Sequence, residues 1–214
     1  MSFKYADDLP SVLDHVSFEI PGGSTCAVLG RTGSGKSTIA NALLATQAPS
    51  SGAVTIGSIN LAQVDRTALR HRVTFIQQDP ILFPGTLRDN IDPETKFSDQ
   101  ECTNAIHRVL GTDWTLDSRI DAGGKNLSQG QRQLVGICRA VLRRSGLVIL
   151  DEATASIDRG TAATVQRILR QELRESTVIT IAHRLEAVQD ATWCLRLDRG
   201  RVVECGPADN LGRE

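Results

Sequence analysis

No run of apolar residues in this chain approaches the roughly 18 to 20 needed to cross a bilayer as a helix. A hydrophobic leader is missing as well, because Lys4, Asp7 and Asp8 interrupt the N-terminal stretch. The chain by itself therefore reads as soluble. Charge of one sign is also lacking. Lys and Arg number 24 against 25 Asp and Glu, leaving a formal net charge of −1 and no broad basic field, which argues against DNA or RNA as a main partner. C-x-x-C spacing is absent. Cys26, Cys102, Cys138, Cys194 and Cys205 are odd in number and sit mostly inside apolar runs, so they read as reduced core residues of a cytosolic compartment. What is present is ordinary for a globular protein: 214 residues, 40% hydrophobic and 23% charged, which excludes disordered and fibrous classes. That length fits one large α/β domain, or a domain with a small inserted subdomain.

The chain is organised around Gly30-Arg31-Thr32-Gly33-Ser34-Gly35-Lys36-Ser37, which follows the apolar run Cys26-Ala27-Val28-Leu29 and leads into Thr38-Ile39-Ala40. It fits G-x-x-x-x-G-K-[ST] in the setting that gives the pattern meaning: buried strand, glycine-rich turn, helix. Successive backbone N–H groups of such a turn converge on an anion, and the helix from about Lys36 adds its positive end. Lys36 is placed to reach β- and γ-phosphates, and the Ser37 hydroxyl to ligate Mg²⁺. The alternative at this point is a plain glycine-rich turn with a surface lysine.

Before this motif, Ser2–Tyr5 and the alternating Val16–Ile20 read as strands, whereas the continuously apolar 24–29 reads as a central parallel strand. After it come a strand at 53–56 with a Gly57-Ser58 turn, a short helix at 66–72 and a strand at 73–76. Gln77-Gln78-Asp79-Pro80 ends that strand at a tip where a ligand would meet it. Residues 84–145 read as a largely helical insert. Within it, Ser98 and Glu101 match a capping box, as do Ser128 and Gln131 at the start of the helix that follows Leu127. That second helix start offers free amides and polar side chains, although taken alone it is an ordinary capped helix.

The apolar strand Leu147–Leu150 stops abruptly at Asp151-Glu152. Adjacent carboxylates at the tip of a buried strand are costly unless they meet a cation or donors. In a phosphate-loop protein such an Asp holds Mg²⁺ and the neighbouring Glu polarises an attacking water; solvated acids at an exposed strand end are the alternative. Strand 178–182 ends likewise in His183-Arg184. A lone histidine is usually structural, but this one follows a strand tip beside others that carry chemistry. A hairpin over 193–204 closes the reading.

With these residues in hand, nearly the whole chain, from about Phe3 to Pro207, resembles the nucleotide-binding domain of ATP-binding cassette (ABC) transporters. Besides Gly30–Ser37, Leu127-Ser128-Gln129-Gly130-Gln131 resembles the family's signature sequence and Leu147–Glu152 its Walker B strand with the catalytic glutamate. Gln78 is similar to the Q-loop glutamine, Ala155-Ser156-Ile157-Asp158 to the D-loop, and His183 to the switch histidine. Tyr5 falls where the family places an aromatic that stacks on adenine. The wording of 78–93 and 152–158 is closer still to the C-type, multidrug-resistance-associated subfamily, above all its second cassette. Three departures stand out. The stretch between Leu110 and Leu127 is short, Lys125 replaces a common acidic residue, and the usual further C-terminal helix and any membrane-spanning part are missing, which reads as an excised domain or fragment.

The resemblance implies a P-loop NTPase core of mostly parallel sheet flanked by helices, with an antiparallel β subdomain and a helical insert. One ABC domain would then cover 1–214, its core at about 1–83 and 146–214 and its helical subdomain at about 84–145. It implies ATP held by Tyr5 and Gly30–Thr38, Mg²⁺ held by Ser37, Gln78 and Asp151, and hydrolysis by Glu152, His183, Lys36 and Gln78. The signature residues would serve the ATP of a second cassette, on the same or a different chain. Transmembrane domains are the other implied partner, on the cytosolic face of a membrane, and the transported substrate is not bound here. Two alternatives remain at this stage: a regulatory module that binds nucleotide without turnover, and a soluble ABC ATPase outside transport.

Overall fold

The computed structural model describes residues 1–6, 8–151, 159–182 and 191–210. Its centre is a six-stranded sheet in the order β10-β9-β1-β8-β7-β4. The strands are β1 (Thr25–Leu29), β4 (Val73–Ile76), β7 (Leu147–Asp151), β8 (Thr177–Ile181), β9 (Trp193–Asp198) and β10 (Arg201–Pro207). All neighbours pair in parallel except the β9–β10 hairpin at one edge. The runs 26–29 and 147–150 are apolar on both faces, and 178–181 is so but for Thr180, because both faces are covered. Val148 and Leu150 enter one core with Ile106, Val135, Ile137 and Val165, while Leu147 and Ile149 turn to a second core with Val28, Ile39 and Ile181. The sheet is thus the middle layer between two packed faces.

Helix α1 (Lys36–Leu43) and the short α2 (Arg66–Arg72) serve the second core, and α5 (Gln129–Arg143) and α6 (Arg159–Glu172) the first. Between β4 and β7 lie a two-residue pair of β5 (Gly85–Thr86) with β6 (Arg119–Ile120), then α3 (Leu87–Ile91) and α4 (Asp99–Val109). Ser98 caps α4 with a reciprocal Glu101 bond, the pattern legible in the sequence. The antiparallel part is small. Besides the β9–β10 and β5–β6 pairs it comprises the hairpin of β2 (Thr55–Ile56) and β3 (Ile59–Asn60) and two isolated bridges, Ser2 with Ser51 and Phe3 with Leu13.

Two expected strands differ. Ser2–Tyr5 forms only those bridges, and Val16–Ile20 keeps its alternating burial but pairs with no strand. Side-chain alternation records which face is buried; a strand also needs a backbone partner in register, and among the described residues only Val16 has one, exchanging hydrogen bonds with Met1. Four of the five cysteines are buried, Cys205 is half-buried and all are free. Burial drives the Cys26 and Cys138 thiols up, Cys138 to about 12.

Candidate functional site

Strand register brings the chemistry-bearing turns to one edge. Val28 of β1 stands beside Ile181 of β8, Ile181 beside Asp151 of β7, and Leu150 beside Ile76 of β4. The chain therefore leaves the sheet at Gly30, Ala182, Asp151 and Gln77 in one row, the carboxyl edge where open α/β sheets place ligands.

The glycine-rich turn takes the shape of an anion cradle. Gly30, Gly33 and Gly35 all have positive φ, and Gly35, at +102°, is the residue from which α1 starts. A Cβ there would stand 2.5 Å from Leu13 Cδ2, so the loop needs glycine for both conformation and space. No side chain caps α1, which leaves its first amides facing the turn. Lys36 is buried and folds back over the loop, its Nζ donating to Gly30 O at 2.7 Å and Arg31 O at 3.0 Å. Among the described residues the buried Ser34 hydroxyl has no hydrogen-bond partner. Ser37 and Thr32 are exposed, whereas Thr38 is buried with its Oγ1 3.0 Å from the Tyr5 hydroxyl. Tyr5 is 47% exposed and held edge-on to Phe3 at a centroid distance of 5.5 Å, so its ring is fixed beside the start of α1. A cleft of about 660 Å³ opens beside Gly30–Ser34, lined also by Arg196 of β9 and Arg199 of the β9–β10 turn.

These features fit a nucleotide triphosphate and Mg²⁺. Uncapped amides, a buried lysine on two carbonyls and an orphaned hydroxyl all answer to an anion. Ser37, Asp151 and Gln78 offer one hydroxyl, one carboxylate and one amide. That sparse oxygen set suits Mg²⁺, which keeps several waters and substrate phosphate oxygens in its shell.

Residues that the sequence reading passed over hold the Gln77–Phe83 turn in place. Gln133 of α5 is buried, and its Nε2 donates to the carbonyls of both Gln77 and Gln78. Asn90 of α3 accepts from Phe83 N and donates to Phe83 O and Thr86 O. Arg139 is half-buried and donates to Asn90 O and Ile81 O, both at 2.8 Å. Burial lowers its pKa. Gly136 completes the fit, since a Cβ there would come within 3.3 Å of Pro80 and Ile76. The available signal was a glutamine and a glycine on the apolar face of a helix.

The start of α5 is a complete capping box. Ser128 Oγ accepts from Gln131 N at 3.2 Å, and Gln131 Oε1 from Ser128 N at 2.8 Å. As an acceptor toward Gln131, the exposed Ser128 hydroxyl keeps its proton for an outside partner. Leu127 is buried beneath this turn, Gly130 is buried and Gln129 half-buried. Among the described residues no hydrogen bond joins Leu127–Gln131 to Gly30–Thr38. The structure therefore gathers Tyr5, Gly30–Thr38, Gln78 and Asp151 at one sheet edge and sets the signature-like turn apart from them. Glu152, Ala155, Ser156, Ile157, Asp158 and His183 lie outside the described residues.

Cradle, strand-end row and flanking helices define a phosphate-loop nucleotide-binding domain. Residues 13–155 match the family profile described as ABC transporter, and the chain belongs to that family. It is 41% identical to ABC transporter C family member 9 of Arabidopsis thaliana over 221 residues, covering 100% of this chain and 15% of that protein. To ATP-binding cassette sub-family C member 2 of Rattus norvegicus it is 42% identical over 214 residues, 97% of this chain and 14% of the relative. These relatives support a nucleotide-binding domain of the C type. The chain spans about one seventh of the length of those relatives. A solved bacterial Atm1-family ABC exporter with ATP bound superposes with a TM-score of 0.89 at 32% identity, covering 98% of this chain and 38% of that one. No helix among the described residues is long and apolar enough to cross a membrane.

Proposed function

We propose that this chain is one cassette of a membrane ABC transporter, binding ATP with Mg²⁺ and hydrolysing it in a site completed by a second cassette. The observation that carries the reading is the separation of two anion-ready helix starts, α1 at the strand-end row and α5 in the helical part. One triphosphate held at α1 leaves α5 without a charge to serve in its own chain, and a facing cassette resolves this. The extent of the unit, a single domain of core and helical subdomain, belongs to the same proposal.

On this reading Lys36 moves its ammonium from Gly30 O and Arg31 O to the β- and γ-phosphates. Amides of Gly33 and Gly35 and the flanking Arg31, Thr32, Ser34 and Thr38 cradle the phosphates, and Tyr5 offers its ring to adenine. Ser37, Asp151 and Gln78 would hold Mg²⁺, which would supply neutralisation of the phosphate charge. Glu152 takes the proton of the attacking water, and His183 orients the γ-phosphate, as the family resemblance assigns. Ser128 donates its hydroxyl proton to the partner's γ-phosphate, with Leu127, Gln129, Gly130 and Gln131 shaping that turn. Contacts that exist only while the γ-phosphate is present make the closed pair conditional on it, so hydrolysis opens the pair and moves attached membrane domains at the cytosolic face.

Complementation tests this. Lys36→Ala damages a cassette's own half-site and Ser128→Arg the half it lends. Each variant alone is expected to be inactive, and an equimolar mixture to regain about a quarter of the wild-type rate, because half the pairs carry one intact site. No recovery on mixing contradicts a shared site.

A further inference from the structure

The phosphate loop is backed by two other segments of the chain. Parallel pairing sets Leu29 of β1 beside Arg196 of β9, and β9 runs on past the end of β1 to Asp198. The Leu197 carbonyl therefore lies against the loop's first residue, 2.4 Å from where a Cβ on Gly30 would stand. Arg199 and Gly200 form the two-residue turn into β10, both with positive φ, at +45° and +76°. Gly200 is buried and bonds on two sides. Its N–H donates to Ser34 O in the loop at 3.1 Å, and its carbonyl accepts from Asp14 N at 2.9 Å. A Cβ on Gly200 would stand 2.3 Å from Val12 O, so only glycine lets the turn sit this close. Arg201 then ties the turn to the same segment, its Nε and Nη2 donating to Asp14 Oδ2 at 3.1 and 2.7 Å. Leu13, between Val12 and Asp14, is the residue that packs against Gly35.

A loop that turns its amides toward an anion turns carbonyls away from it, and those carbonyls need donors from behind. Gly30 O and Arg31 O have Lys36 Nζ, a donor that a bound phosphate draws away. Ser34 O keeps its donor, because Gly200 N belongs to a turn fixed from its other side by Asp14. The backing at Gly30, Ser34 and Gly35 thus stays in place at the moment Lys36 changes partners.

We propose that Gly200 is a positioning residue for ATP: the β9–β10 turn, latched to Asp14, holds Ser34 so that the loop amides stay aimed at the phosphates after Lys36 has left the loop carbonyls. The inference rests on ATP binding at this loop. Such coupling is reciprocal, so if the closed turn raises ATP affinity, bound ATP holds the turn closed by the same factor.

Two measurements on the whole chain test this. Amide hydrogen exchange at Gly200 and Asp14 is expected to slow at least about fivefold on saturation with ATP and Mg²⁺. By titration calorimetry, Gly200→Ala is expected to raise the Kd at least about tenfold, for ATP and inorganic tripolyphosphate alike, because the turn acts on the phosphates and not on the base. Gly57→Ala is the control: it places alanine at φ +58° in the β2–β3 turn with nothing within 4 Å, and is expected to leave both affinities unchanged. If Gly200→Ala does not fold, exchange in the wild-type chain decides alone. ATP binding with unchanged exchange at Gly200 and Asp14, or an unaltered ATP Kd in folded Gly200→Ala, overturns the proposal. Absence of ATP binding by the wild-type chain overturns the reading beneath it as well.

Discussion

Lys36 leaves two loop carbonyls to reach a phosphate, and that exchange sets the size of its effect. Hydrogen bonds to charged groups contribute about 1.5 to 3 kcal/mol, so Lys36→Ala is expected to weaken ATP binding roughly 10- to 150-fold by titration calorimetry. Unaltered affinity would remove Lys36 from the site. Gly35 is the conformational counterpart. At φ +102°, with Leu13 Cδ2 2.5 Å from any added Cβ, Gly35→Ala is expected to cost roughly 1 to 3 kcal/mol in urea unfolding. The turn and its lysine were legible because glycine spacing and a following helix are local properties. Tyr5 was legible only by resemblance, since its fixation by Thr38 and Phe3 depends on residues far apart in sequence and on a fold not yet known.

Among the elements, α5 shows the division most clearly. Its start at Ser128 follows from a four-residue pattern and needs no tertiary information; Ser128→Ala is expected to cost about 1 kcal/mol of stability in denaturant unfolding. Its buried side, where Gln133, Gly136 and Arg139 carry the Gln77–Phe83 turn, was not legible, because those partners lie about 50 residues away. Val16–Ile20 failed in the opposite sense: the alternation was right, but strand pairing is a property of two segments. The turn after α3 gives a pH test. Burial pushes the Asp92 carboxyl up, but amide donors from Phe97 and Lys96 and the Arg88 guanidinium together outweigh it and hold the pKa below the usual range. A depressed pKa means stability present above the ordinary carboxylate pKa and lost as pH falls through the depressed one. Asp92→Asn is therefore expected to destabilise by roughly 1 to 3 kcal/mol at neutral pH, with the difference from wild type shrinking below about pH 4. A difference that stays constant down to pH 2 would show that the charge is not what the turn uses.

For the whole molecule, the parallel order and the shared row of strand ends follow from apolar runs that stop at polar residues, which is why the core of the site could be read before the fold was known. The pairing of cassettes could not be derived in that way. It depends on a surface facing another chain, and only the family likeness and the separation of α1 from α5 point to it. The most direct measurement of this central claim is Mg²⁺-dependent ATP hydrolysis by the purified chain over a wide range of protein concentration, with Glu152→Gln alongside. Specific activity that rises with concentration and is lost in the variant is the expected result. Specific activity independent of concentration, or undiminished in Glu152→Gln, would contradict a composite site with that glutamate at its centre.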